Sequence, residues 1–406
     1  MRTFLRRLST VSLLLAALPV AAAAQAPVPL EFQDLYWDLA SSLETFAAVV
    51  PPAWAVRPVD FSAELSSADA NRLDDLLAPN SLVGTMLALD HLAAAGPEAV
   101  TVNISYPMLH PSFHRDAREY ARYLGFYKTV AVAARLRGLK LIVKSGALMA
   151  TDPRVVGFYR SVRDVDTYKA GRLAVARTIV REIAPDYLTL QAEPDVEESQ
   201  TGQPVGSVDG AFDLVSFLVS GLRGGGDAGT SLGAGGGTWH SDFYDLEERL
   251  LSIRELGYLD LHVYPINRDF LFRALAAADR AAAAGKDVAM SEAWLYKVRD
   301  GELPWNGPLL TDILARDVFS FWEPLDRRYV EVLVRLAVAK GFAFVSLFWS
   351  KYLFSYLDYA DTWFLPPDQL FALSQSTSTQ AMLNDRLSGT GRTYQALIGY
   401  HSWFER

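Results

Sequence analysis

Two glutamates in this chain stand where a carboxylate can do chemistry. Glu193 follows the run Tyr187–Gln191 by one alanine, and Glu292 directly follows Asp287–Ser291. Both runs read as strands, so each carboxylate is carried to a strand's C-terminal end. Cleaving a glycosidic bond needs such a pair: one carboxylic acid protonates the leaving oxygen, and a second carboxylate attacks the anomeric carbon or activates water. One glutamate alone reads equally well as a loop-end ion pair. Two at equivalent places, each with aromatics nearby, point to catalysis.

The other strand ends supply candidate substrate contacts: Tyr106, Lys144, Gln191, Trp239, His240, His262, Tyr264, Trp294 and Trp349. His262 and Tyr264 are two apart, so on a strand they share one face. Trp239, Trp294, Trp305 and Trp349 fall at strand ends or in the loops beyond, where indole faces suit the C–H faces of a sugar and nearby polar groups suit its hydroxyls. Tyr352, Tyr356 and Tyr359 have helical spacing and read as packing. Several acids rival the pair. Asp195 reads as a substrate contact, and Glu197 and Glu198 as a solvated loop. Asp60 and Asp260 are further candidates, Asp260 equally as a buried structural acid.

Other chemistries lack their residues. His110 and His114 are four apart, but Pro111 breaks a helix there and no HExxH or third ligand accompanies them, so no metal is expected. Residues 202–206 read Gly-Gln-Pro-Val-Gly, with no serine for a nucleophile elbow. The glycines at 224–226 and 233–237 lack the Lys-Ser/Thr pair of a phosphate loop, and no GxGxxG follows an early strand. With no cysteine, thiolate metal sites, disulfides and thiol nucleophiles are excluded. No cofactor is expected.

The elements that must position these residues follow one rhythm. Apolar, β-rich runs alternate with segments of helical periodicity, the pattern of βα units and a parallel sheet. Strands are expected over 56–65, 99–106, 140–144, 187–191, 230–238, 258–264, 287–291 and 342–348. Helices are expected over 71–95, 116–136, 164–183, 208–222, 242–256, 270–284 and 329–340. An N-terminal helix over 27–50 and a helical closure over 366–405 complete the chain. Eight such strands predict an α/β fold, a single-domain (β/α)8 TIM barrel, whose functional residues gather at the C-terminal ends of the strands.

The 406 residues are 50% hydrophobic and 21% charged, which suits a large core and excludes a disordered chain. Lys and Arg number 38 against 47 Asp and Glu, a net charge of −9. That balance argues against nucleic acid as a partner and for a neutral one. Arg2, Arg6 and Arg7 precede an apolar run, Val11–Val20, and an alanine-rich stretch to Ala26. Those are the parts of a secretory signal, too short to span a bilayer. Residues 1–26 are therefore expected to be removed, leaving a periplasmic or secreted catalytic domain over 27–406. It is expected to be a monomer, off the membrane, with a net charge of −12.

In these residues the chain resembles clan A, the 4/7 superfamily of retaining (β/α)8 glycoside hydrolases. That clan carries an acid/base glutamate after strand four, typically in Asn-Glu-Pro, and a nucleophile glutamate after strand seven. A tyrosine or histidine often stands near the end of strand six, and a tryptophan commonly ends strand eight. Glu193-Pro194, Ser291-Glu292, Tyr264 and Trp349 match. More loosely, the chain is similar to endo-β-1,4-galactanases. The resemblance implies double displacement at β-linked oligo- or polysaccharides of plant or microbial origin, with Glu292 attacking and Glu193 giving, then taking, a proton. It implies carboxyl groups about 5–5.5 Å apart, Glu292 held low by Tyr264 and Lys144, and Glu193 held high by burial and negative charge. One departure stands out: the asparagine that contacts the sugar 2-hydroxyl is Ala192 here. Either Gln191 or another side chain substitutes, or the enzyme handles an unusual sugar, or its activity is weak; the alternative is a barrel that binds saccharide without turnover.

Overall fold

A computed structural model describes residues 27–50, 58–223, 229–299, 302 and 309–404. The proposed signal segment, Gly224–Gly226 and Trp305 lie outside the described residues.

Eight parallel strands close on themselves in sequence order: β1 Asp60–Glu64, β2 Ala99–Asn103, β3 Lys140–Lys144, β4 Tyr187–Thr189, β5 Ser231–Gly237, β6 Tyr258–Val263, β7 Asp287–Ala293 and β8 Phe344–Leu347. β1 pairs with both β2 and β8, which completes the barrel. The fold is the expected (β/α)8 TIM barrel.

Around it run α1 Gln33–Val49, α2 Ser81–Ala94, α3 Ala117–Leu136, α4 Pro153–Ser161, α5 Val165–Thr178, α6 Pro194–Thr201 and α7 Val208–Arg223. The second half adds α8 Phe243–Leu251, α9 Phe270–Ala283, α10 Leu309–Arg316, α11 Glu323–Lys340, α12 Tyr359–Thr362, α13 Pro367–Leu383 and α14 Gly389–Phe404. None of the described helices is long and apolar enough to cross a membrane.

Period-two alternation sorts every strand into two faces. One face is apolar: Phe61 and Ala63, Val100 and Val102, Leu141 and Val143, and Leu259 and Leu261 all belong to the main core beneath the helices. The other face fills the barrel and is largely polar. Asp60, Ser62 and Glu64 share it on β1, and Asp260 and His262 on β6. From the lower end upward, Lys140 and Tyr187 bond Asp60, Ser62 bonds Thr101, Thr189 bonds Tyr258, and Ser291 bonds Asp260. The glycines of β5 make room for this filling. A Cβ at Gly233 would lie 2.0 Å from the Tyr258 ring, and one at Gly235 would lie 1.6 Å from the Asp260 carbonyl oxygen.

The helix expected over 71–95 is two pieces. A 3-10 run, Ala70–Leu77, breaks at Leu73, and α2 starts only at Ser81. Pro79 pushes Ala78 out of the helical region, and Asn80 takes the left-handed conformation at φ 67°. β2 stops at Asn103, three residues short of its expected end. β7 runs two residues further than expected, so Glu292 lies within the strand. There the register against β6 shifts at Leu261/His262.

Candidate active site

The upper end of the barrel is built from the last inward residue of each strand and the loops beyond. Glu193 precedes α6, whose first residue is Pro194, a residue suited to the first helical position. Glu292 comes from β7, His262 from β6, Lys144 from β3 and Glu64 from β1. The structure brings the two glutamates together. A carboxylate oxygen of each and a ring nitrogen of His262 all lie within 4.8 Å of one another. One oxygen of each carboxyl is thus brought within reach of a single ring nitrogen.

Each carboxylate has its own partners. Tyr264 donates its hydroxyl to Glu292 Oε2 at 2.5 Å, and Lys144 bonds Glu292 Oε1 directly. Lys144 Nζ also lies 3.2 Å from Glu64 Oε1 and 5.0 Å from the centre of the Phe348 ring. His262 places Nδ1 2.7 Å from Glu193 Oε1 and 3.4 Å from Glu292 Oε2. Its Nε2 is 3.0 Å from Ser291 Oγ.

These contacts push the two glutamates apart. Burial would raise Glu292, but His262, Lys144 and the Tyr264 hydroxyl outweigh it and hold the carboxyl below its ordinary range. Burial raises Glu193, and the charges of Glu292 and Asp195 add to the rise against the pull of His262. Burial would lower His262, yet Glu292, Glu193 and Asp260 bring it up to about 9. Burial lifts Glu64 to about 8, so at neutral pH its carboxyl keeps a proton and leaves the Lys144 charge to Glu292. One low and one high carboxyl in a single site is the division that acid and nucleophile require.

Aromatic rings wall this pair. Trp239 stacks on Tyr264 at 5.6 Å and donates its indole N–H to Asp195 Oδ2 at 3.1 Å. Tyr296 packs on Tyr264 at 4.7 Å, and its hydroxyl accepts the Trp349 N–H at 2.9 Å. Trp239 and Trp349 are half-buried, and Tyr296 is a member of the wall that the strand-end reading missed.

Four expected contacts are elsewhere. Tyr106 is three residues past the end of β2, and its buried ring packs edge-on against Tyr168 of α5. The inward residue at the end of β2 is Asn103, whose side-chain amide donates to Asp69. Gln191 turns under α6, where its amide donates to Glu197 at 3.2 Å. It does not take the place of the missing asparagine. His240 accepts from the Asp242 N–H and donates to the Gly206 carbonyl, so both ring nitrogens hold loop backbone. Trp294 is fully buried, stacked on Tyr352 at 5.1 Å.

Glu197 and Asp60 are corrected, and Asp260 takes the buried one of its two readings. Glu197 is no solvated loop residue but a buried partner of Arg172 at 2.6 Å. Asp60 begins β1 and pairs with Lys140 at the opposite end of the barrel. Asp260 is fully buried and accepts two hydrogen bonds from Ser291. Glu64 was missed, although it continues the inward phase of Asp60 and Ser62 to the upper end.

No protein-family profile and no curated protein sequence matches the chain. Solved structures do share its fold, and they include clan A glycoside hydrolases. A GH5_18 enzyme from Bifidobacterium longum subsp. longum, in complex with Manβ1-4GlcNAc, aligns with a TM-score of 0.54 at 14% identity. The alignment covers 85% of this chain and 79% of that one. The exo-β-1,4-mannosidase Op5Man5 from Opitutaceae bacterium strain TAV5 aligns with a TM-score of 0.52 at 12% identity. Here 87% of this chain is covered, but only 62% of that enzyme's length.

Proposed function

We propose that this protein is a secreted, retaining glycoside hydrolase acting on a β-linked oligo- or polysaccharide. The observation that carries the reading is the close approach of Glu193 and Glu292 across His262. Ionised Glu292 attacks the anomeric carbon while protonated Glu193 gives its proton to the departing oxygen. Water, deprotonated by Glu193, then releases the sugar from Glu292 with net retention. Asp195, Trp239, Tyr296 and Trp349 line the cleft for the saccharide. Residues 1–26 direct export and are removed, and the mature chain acts as a monomer in the periplasm or outside the cell.

A 2-fluoro glycoside with a good leaving group tests this, because the fluorine slows hydrolysis of the glycosyl-enzyme more than its formation. The names of the two structural neighbours make the β-mannoside the first probe to try, followed by the β-glucoside and β-galactoside. Mass spectrometry should find one sugar on the peptide containing Glu292, and no adduct in Glu292→Ala. Undiminished hydrolysis by Glu292→Ala would reject the assignment.

A second reading is a barrel that binds saccharide without turnover. It is favoured by Ala192, which offers no donor to the sugar, and by Gln191 being turned away. Calorimetric binding of an oligosaccharide without labelling would select it.

A further inference from the structure

We propose that Asp260 is a positioning residue for the acid/base carboxyl, acting through Ser291 to keep His262 doubly protonated against Glu193. The role in catalysis rests on reading Glu193 as the acid/base. The proton arrangement rests on the hydrogen bonds alone.

The Ser291 backbone N–H donates to Asp260 Oδ1 at 2.8 Å, and its hydroxyl donates to Asp260 Oδ2 at 2.5 Å. With its one proton used, Ser291 Oγ accepts at 3.0 Å from His262, so Nε2 carries hydrogen. At the other side of the ring, Nδ1 faces two acceptors, Glu193 Oε1 at 2.7 Å and Glu292 Oε2 at 3.4 Å. A proton on each nitrogen satisfies all of these contacts at once. Asp260, Ser291 and His262 are all buried, so water does not compete for them.

The charged and titratable groups facing His262 are few. β6 supplies Asp260 and Tyr264, and β7 supplies Glu292, itself held by Lys144. Glu193 comes from the start of α6, with Asp195 behind it. β5 brings glycines, and Thr238 follows it; none of these titrates. Asp260 is the one acid behind Nε2 among these groups. Its charge holds the imidazolium in place when Glu193 passes its proton to the leaving oxygen. The resulting Glu193 carboxylate then meets an N–H donor and a positive charge, so proton release is favoured and the imidazole does not take the proton first.

The test uses the full mature chain labelled with 15N-histidine, with the His262 signals assigned by their loss in His262→Gln. The wild-type ring nitrogens should keep imidazolium shifts through pH 8. Asp260→Asn and Ser291→Ala should each lower the midpoint by one pH unit or more, a tenfold weaker hold on the proton. Ser291→Thr keeps the hydroxyl and should restore the wild-type midpoint. An unmoved midpoint in Ser291→Ala, in protein with a wild-type circular-dichroism melt, overturns the proposal even if Asp260→Asn does not fold. This readout needs no turnover. Failure of the relay is therefore separate from failure of the glycosidase reading, which shows as absent labelling of Glu292.

Discussion

Lys144 Nζ lies 3.2 Å from Glu64 Oε1 while bonding Glu292 directly, so one buried ammonium is held between two carboxyl groups of different protonation. Glu64 keeps its proton at neutral pH, and the positive charge serves Glu292. Removing it in Lys144→Met leaves the half-buried Glu292 against His262 and Tyr264 only. Losing one member of a buried ion pair costs about 3–5 kcal/mol, which urea denaturation at pH 7 should show. The midpoint of the acid limb of kcat/KM should rise, because Glu292 loses a charge that holds it low. Glu64→Gln keeps an accepting oxygen in place of a neutral acid, and its activity should stay within an order of magnitude of wild type.

The pH profile follows from the two directions of shift. Activity requires Glu292 ionised and Glu193 protonated. Glu292 is held below its ordinary value, so the acid limb should fall below about pH 4.5. Glu193 is raised, so the alkaline limb should lie above that value. Initial rates on an unactivated β-linked disaccharide, whose leaving oxygen needs the proton, between pH 3 and 9 check both limbs. A single limb, with full activity persisting at the alkaline end, would remove Glu193 as the acid.

Glu193→Ala separates the two steps. General acid catalysis contributes about 10²–10⁴-fold, and the loss should fall on substrates whose leaving group needs the proton. A 2,4-dinitrophenyl glycoside should still glycosylate Glu292. Release of the sugar should then be slow and should be accelerated by azide, which needs no base. The product should be a β-glycosyl azide. An azide product of inverted configuration would place nucleophile and acid on the wrong residues.

Much of this was legible because strands are periodic. The eight βα units, Glu193 and Glu292 follow from where apolar runs stop, and the phase of His262 and Tyr264 follows from their spacing. Strand ends are where the sequence pattern and the structure part. Extending β2 to residue 106 selected Tyr106 over Asn103, because three extra residues change the face. Asp60 and Glu64 lie in one phase of β1, and only the last of the phase, Glu64, reaches the upper end. Tyr296, Gln191 and Trp294 were not decidable from spacing. Whether a ring in a loop turns to the cleft or to the core is set by tertiary packing. The polarity of the barrel filling was visible, as Asp60, Ser62 and Glu64 alternate with apolar residues. It becomes informative only once the inward face is known.

Glu247 gives a stability prediction away from the site. It lies on α8, its side chain is 1% exposed, and neither carboxyl oxygen has a hydrogen-bond partner. Burial raises it to about 8 against the weaker pull of Arg280 and Arg273. In the unfolded chain it ionises near its ordinary value, about 4.5, so from there to about 8 the folded state holds a proton that the unfolded state has released. Stability from this group is therefore full below about pH 4.5 and is lost as pH rises, by about 1.4 kcal/mol per unit at most. The loss levels off once the folded carboxyl also ionises. Glu247→Leu removes the ionisation and suits the surrounding apolar positions Leu246 and Leu250. It should raise the melting temperature at pH 8 and reduce the fall between pH 5 and pH 8. Parallel melting curves for wild type and variant across that range would show that Glu247 has a partner in solution and titrates normally.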